Sequence, residues 1–436
     1  MSQMRKDVFT GRWVIVAETG AVQPTDFHFK PFRRDAAFCP FCETNEASTP
    51  PEVFAIRRPG SMANGPGWSV RVVPNVQPRL RIEGELGRRG EGFHDLMNGV
   101  GAHEIIAETP RHDRSLHELE PEEISDVIRA YAARIADLER DERMRYVLIF
   151  KNHGGGAGAH TIFHSISQLM ALPVTPRTIK TKLMMARDYY VQKERCLYCD
   201  VLTEELNKRR RLIAENSDFA AFIPFASRFP FEACVLPKAH SSAFSQIRDS
   251  EIGTLAHILR NILQKLDSTF GRLPYNLSLQ DRPFVRPRKG YWKTIEADFH
   301  WHLEILPQVF RVTGFEWASG FSTTRCRPKL QRSALHPAAR LESGSLKSVL
   351  RTPCQRMSRR KQTGANPIRV PTPVTVLTLN RNETSGAPCQ RQNRCHSFGH
   401  RRKAYANRVT GRRDRHHCHL CKVRPSFSFV SYGRCL

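Results

Sequence analysis

Two short cysteine pairs, Cys39-Pro-Phe-Cys42 and Cys196-Leu-Tyr-Cys199, constrain this 436-residue chain more than any other feature, because the landmarks after them recur at matching offsets. Thr109-Pro-Arg-His112 follows the first pair and Leu236-Pro-Lys-Ala-His240 the second. Eleven residues beyond His112 stands Glu123-Ile124, and eleven beyond His240 stands Glu251-Ile252. Each opens an apolar stripe of helical period: Ile124, Val127, Ile128, Tyr131, Ile135 and Leu138 in one, Ile252, Leu255, Leu259, Ile262 and Leu266 in the other. Such stripes belong to helices laid on a sheet. Each half closes on a histidine segment, His164-Ser-Ile166-Ser-Gln168 and His300-Trp-His302-Leu-Glu304. Equal spacing of unlike residues across two stretches predicts one fold used twice, in residues 1–175 and 176–321.

Each half thus offers two cysteines and two histidines. Tight cysteine pairs with histidines downstream read as metal ligation rather than disulfides in an intracellular chain. Four such ligands satisfy zinc as a closed tetrahedron. The expected sets are Cys39, Cys42, His112 and His164, and Cys196, Cys199, His240 and His300, for two zinc ions per chain.

Charge separates a third region. Residues 322–436 hold 25 Lys+Arg against 3 Asp+Glu, while residues 1–321 hold 43 against 39, so nearly all of the net +26 lies in the tail. Seven of the twelve cysteines lie there too. With few acids and little apolar periodicity, the tail reads as disordered, unselected sequence from another reading frame. A basic arm suggests nucleic acid, but aromatic interleaving and recognition motifs are missing, which argues against that partner. No run of 18 apolar residues and no signal-peptide core occur, so the expectation is a soluble cytoplasmic protein with no membrane partner.

The stretch Asn152-His-Gly-Gly-Gly-Ala-Gly158-Ala-His160 follows an apolar strand, Tyr146–Phe150. Glycines let backbone N–H groups approach and cradle a phosphate. Several motifs in one order then resemble the galactose-1-phosphate uridylyltransferase family of the histidine-triad superfamily, especially its two-zinc members. They are Gly11-Arg12-Trp, Cys39-Pro-Phe-Cys42, Val73-Pro-Asn75, Glu104…His112, Asn152-His-Gly, His164…Gln168, His300-Trp-His302 and Gly314-Phe-Glu316-Trp. The resemblance covers roughly residues 4–321 and implies an α+β fold of two histidine-triad-like halves, mostly antiparallel sheet with packed helices. It implies transfer of a nucleoside monophosphate between sugar phosphates, with a nucleotide sugar and a hexose 1-phosphate as partners, and a homodimer is one assembly it leaves open. By position, Arg12, Asn75, Asn152, Gly158 and Glu316 are expected to contact substrate and Gln168 to bond the phosphoryl group.

In the family the nucleophile is the middle histidine of His-x-His-x-Gln, which here is Ile166. Isoleucine has no lone pair for phosphorus. His160 precedes the zinc-ligand position and His153 sits at a turn position, so neither is expected to replace it. Two readings follow: a nucleotidyltransferase by type, or an inactive nucleotide-sugar-binding or zinc-stabilised scaffold protein.

Overall fold

The computed structural model describes residues 1–335 apart from 18–23, 28, 30–37, 159–163, 287–291 and 325–327. Everything described lies in one unit, Met1–Arg356. His160, and the expected disordered tail beyond Leu335, fall outside the described residues.

A ten-stranded antiparallel sheet forms the frame. Its order is Leu212–Glu215, Phe219–Phe222, Ala233–Pro237, His302–Pro307, Tyr275–Gln280, Tyr146–His153, Ile166–Leu172, Ala102–Ala107, Trp68–Pro74 and Phe54–Arg57. Read outward from the centre, each half supplies its fourth, fifth, third, second and first strand in turn, so the two halves repeat one topology. They meet where Tyr146–His153 pairs with Tyr275–Gln280, Asn152 standing opposite Asn276.

The two striped segments are helices, Pro121–Glu139 and Asp249–Phe270. The equally spaced acids explain their starts: Glu123 accepts the Glu120 N–H (2.9 Å) and Glu251 the Arg248 N–H (3.0 Å). A carboxylate so placed satisfies one of the first-turn donors the helix cannot. Both helices bury their stripes against one sheet face, with Val147, Ile149, Leu169, Leu277, Leu303 and Ile305. Arg134 anchors the first helix to the sheet through a two-pronged pair with Glu104 (2.7 and 2.9 Å).

The opposite face is treated differently in the two halves. Over the second lie the helices Arg177–Lys193 and Leu197–Lys208, sealing Tyr146, Phe222, Cys234 and Leu236. Over the first, Cys39, Phe41, Trp68, Val73 and Ile105 form a small apolar cluster that leaves an opening beside it.

Described structure continues beyond Phe321. Ser322–Thr324 pairs in parallel with the Trp13–Val16 strand, and the helix Pro328–Ala334 follows. Gln331 Oε1 accepts the Phe231 N–H (2.8 Å) and Leu335 is buried in the main core, so these residues carry contacts that sequence composition does not reveal. Among the described residues, no helix is long and apolar enough to cross a membrane.

Candidate active site and metal centres

Each cysteine pair meets its two histidines as expected. In both groups, Cys39/Cys42/His112/His164 and Cys196/Cys199/His240/His300, the four ligand atoms lie within 4.8 Å of one another. In the first, Cys39 Sγ is 3.6 Å from His164 Nδ1 and Cys42 Sγ is 3.5 Å from His112 Nδ1. In the second, Cys199 Sγ lies 3.4 Å from His240 Nδ1 and 3.6 Å from His300 Nδ1. Sulfur and nitrogen on one edge of a zinc tetrahedron stand about 3.5 Å apart, given bonds of about 2.3 and 2.0 Å. One histidine of each group has its far ring nitrogen tied back: His164 Nε2 donates to the Thr109 carbonyl (2.7 Å) and His240 Nε2 to the Glu296 carbonyl (2.8 Å). That arrangement turns the Nδ1 lone pairs of these two rings toward the thiols. Burial lowers the His164 imidazole to about 4, keeping it a neutral donor. Both groups are chemically able to hold a metal ion.

His164 leads into the strand Ile166–Leu172, and a strand's period of two sends its side chains alternately to the two faces. Ser167 is buried toward the long helices, while Ile166 and Gln168 look the other way, into a cavity of about 500 Å³. Asn75, Asn152 and Gly158 line that cavity too, together with Phe41, Val73 and His103. Four expected ligand contacts therefore meet at one place with the nucleophile position. Ile166 packs against the cluster of Phe41, Val73 and Ile105, offering hydrocarbon where an imidazole is expected.

The cavity is lined by hydrogen-bond donors, and backbone groups fix their direction. Asn75 Oδ1 accepts the Gln77 N–H (2.9 Å), and its NH2 lies 3.2 Å from His103 Nε2 at the cavity wall. Asn276 Nδ2 donates both to the Ala157 carbonyl (3.0 Å) and to Asn152 Oδ1 (2.8 Å), so the Asn152 oxygen is engaged and its NH2 is the end left for the cavity among the described residues. The glycine turn closes around Gly155–Ala157, with Gly154 at φ 83° and Gly158 at φ 94°, conformations a side chain would strain. A wall of donors without a carboxylate suits phosphoryl oxygens.

Behind the strand lies a buried network that spacing alone does not disclose. Lys151 Nζ bonds Glu108 (2.6 Å), Ser165 Oγ (3.1 Å) and the Ile166 carbonyl (3.1 Å). Glu108 also accepts from Ser165 (2.6 Å), Tyr131 (3.2 Å) and Ser167. Burial alone would raise the Glu108 carboxyl; the Lys151 charge and these bonds outweigh it and hold the group below the usual range. The one sequence signal was a lysine directly after the apolar run Tyr146–Phe150. Asn276 and His103 gave no signal of their own.

Other expected residues sit elsewhere. Arg12 and Glu316 share a second cavity of about 530 Å³ with Arg228, Arg311 and Thr313. Glu316 caps its own helix there, accepting the Thr313 N–H (3.0 Å). His153 is stacked on Tyr275 (4.7 Å between rings) and does not line the first cavity. His302 holds in the second half the place Ile166 holds in the first, but it is 1% exposed under the helix Arg177–Lys193. Its Nδ1 donates to the His300 carbonyl (3.0 Å) and its Nε2 accepts from Lys182 (2.9 Å), so its lone pair is spent. The duplicated fold thus keeps one cavity open and fills its counterpart.

Comparison with known proteins agrees with this architecture. The galactose-1-phosphate uridyl transferase N-terminal domain model matches residues 90–176, and the C-terminal domain model matches 182–324. ADP-glucose phosphorylase of Arabidopsis thaliana is 33% identical over 326 residues, covering 73% of this chain and 88% of that protein. Galactose-1-phosphate uridylyltransferase of Thermotoga maritima is 24% identical over 325 residues, covering 74% of this chain and 92% of its own length. The solved structure of an Arabidopsis thaliana ADP-glucose phosphorylase with bound ADP-glucose superposes with a TM-score of 0.65 at 31% identity, across 77% of this chain and 98% of that one. Doubled topology, paired Cys₂His₂ groups and these matches have one common explanation: the chain belongs to the galactose-1-phosphate uridylyltransferase family.

Proposed function

We propose that the chain keeps the family's nucleotide-sugar site in the cavity beside Gln168 and, as its sequence stands, binds the ligand without forming a covalent intermediate. The observation that carries this reading is the placement of Ile166 and Gln168 on one strand face, in a cavity whose amide groups point donors inward. Gln168, Asn75, Asn152 and the Gly158 turn would take the phosphoryl oxygens. The nucleophile position can supply no bond to phosphorus. The Arabidopsis thaliana relative that binds ADP-glucose makes an adenine nucleotide sugar the first candidate, with UDP-glucose and a hexose 1-phosphate to be compared with it.

Zinc is the metal that fits both groups, since two thiols and two imidazoles with four-sided closure suit it. Its part here is structural. Cys39, Cys42, His112 and His164 would pin the segment before Ile166, and Cys196, Cys199, His240 and His300 would pin the second half. Arg12 and Glu316 lie in a cavity of their own, and a homodimer is the assembly that would let both cavities serve one site. A cytoplasmic setting suits free thiols held for a metal.

The second reading, an active nucleotidyltransferase, is favoured by the intact surroundings of position 166. Titration calorimetry with ADP-glucose and UDP-glucose tests the proposal. Saturable binding that Gln168→Ala weakens is expected; no binding of either would overturn it.

A further inference from the structure

We infer that His103 is a positioning residue that sets which end of the Gln168 carboxamide faces the cavity, a step that rests on the nucleotide-sugar reading of that cavity. His103 stands on the strand Ala102–Ala107, beside the strand that carries Gln168. Its ring lies between three groups. The backbone N–H of Arg79 points at Nδ1 (3.1 Å), Gln168 Oε1 lies 3.0 Å from Nε2, and Asn75 Nδ2 lies 3.2 Å from Nε2.

A backbone N–H can only donate, so Nδ1 must be the accepting nitrogen. A neutral imidazole then carries its proton on Nε2, and that N–H donates to a carboxamide oxygen. Gln168 is the partner able to accept, because Asn75 already uses its oxygen on the Gln77 N–H (2.9 Å). Gln168 is thereby held oxygen-inward toward His103, and its NH2 is left for the cavity, where no protein partner meets it among the described residues. The chain of direction runs from the Arg79 N–H through His103 to Gln168. Reversing the amide would present an oxygen to an anionic ligand, so the bond from His103 to Gln168 sets the sign of that contact.

His103 is 6% exposed and unlike its neighbours Ile105 and Ala107 in polarity, which is the cost a packing residue would not carry. A hydrogen bond to a phosphoryl oxygen is the strong, charge-assisted kind, so losing its alignment should weaken binding on the order of tenfold.

Glutamine-selective ¹⁵N labelling of the full chain, with Gln168→Ala to identify the side-chain amide signal, tests this in the absence of ligand. His103→Leu should shift that amide pair, and His103→Gln, which returns an N–H near the Nε2 position, should bring it back. ADP-glucose titration should show about a tenfold loss in His103→Leu, recovery in His103→Gln, and no further loss when His103→Leu is added to Gln168→Ala. Metal content measured on each variant reports whether it has folded. An unmoved amide pair, or losses that add in full, would overturn the inference. If the unaltered chain binds no nucleotide sugar, the functional reading fails, and the amide signal still decides the role of His103.

Discussion

Replacing Lys151 with methionine removes the cation paired with Glu108 while keeping most of the side-chain volume. The lysine is 2% exposed and the glutamate 0%, so solvent screens neither charge. Three bonds go at once: to Glu108, to Ser165 and to the Ile166 carbonyl. Breaking a buried pair by removing one partner costs about 3–5 kcal/mol, because the survivor is left uncompensated. The Glu108 carboxyl of the variant should then take up a proton, and this gives the effect a pH signature. In the unaltered chain the folded carboxyl is held below its unfolded value, so its contribution is present above about pH 4.3 and fades as pH falls. In Lys151→Met burial raises the same group, and stability falls as pH rises. The gap between the two proteins should therefore be widest near pH 7.5 and narrow toward pH 5. Adding Glu108→Gln should recover much of the loss, since no buried charge remains. Urea denaturation at the two pH values measures all of this. A loss below about 1 kcal/mol at pH 7.5, or a gap that widens on acidification, would refute the reasoning.

Other outcomes follow from the same geometry. Cys39→Ser should reduce two zinc ions per chain to about one and lower the unfolding midpoint of the first half, as elemental analysis and denaturation would show. Burial pushes the Asp281 carboxyl up to about 7, where it accepts the Phe244 and Arg282 N–H groups (3.0 and 2.8 Å). A folded value above the unfolded one means the fold binds more protons, so this group makes stability decline as pH rises from about 4 toward 7; Asp281→Asn should flatten that slope in denaturation curves. Lys182→Met should destabilise the second half, because Lys182 holds Glu304 (2.6 Å) and His302 (2.9 Å) in a buried place; zinc content and urea midpoint should both report it.

Much of this was legible in the sequence for physical reasons. Metal ligands must be of few types at short spacing, so both Cys₂His₂ sets could be named before their geometry was known. Helix starts and stripes follow local rules, and Glu123 and Glu251 proved to be first-turn caps. Long-range pairing was not legible. Nothing local says that Asn152 lies opposite Asn276, that one sheet runs through both halves, or that Ser322–Thr324 pairs with the N-terminal strand. Buried charges were hidden as well: Lys151 and Lys182 look like surface residues until the partner, Glu108 or Glu304, is in place. His103 belongs to this class, since its meaning comes from the Arg79 backbone and the Gln168 amide, neither adjacent in sequence.

The claim that binding survives at a site without its nucleophile meets its most direct test in one intact-mass experiment. The unaltered chain and Ile166→His are incubated with ADP-glucose or UDP-glucose and weighed under conditions that preserve phosphoramidates. The account predicts no nucleotidyl adduct on the unaltered chain and an acid-labile adduct on Ile166→His, because the donors around Gln168 can lower a barrier but cannot form the bond. An adduct on the unaltered chain, at any histidine, would contradict it.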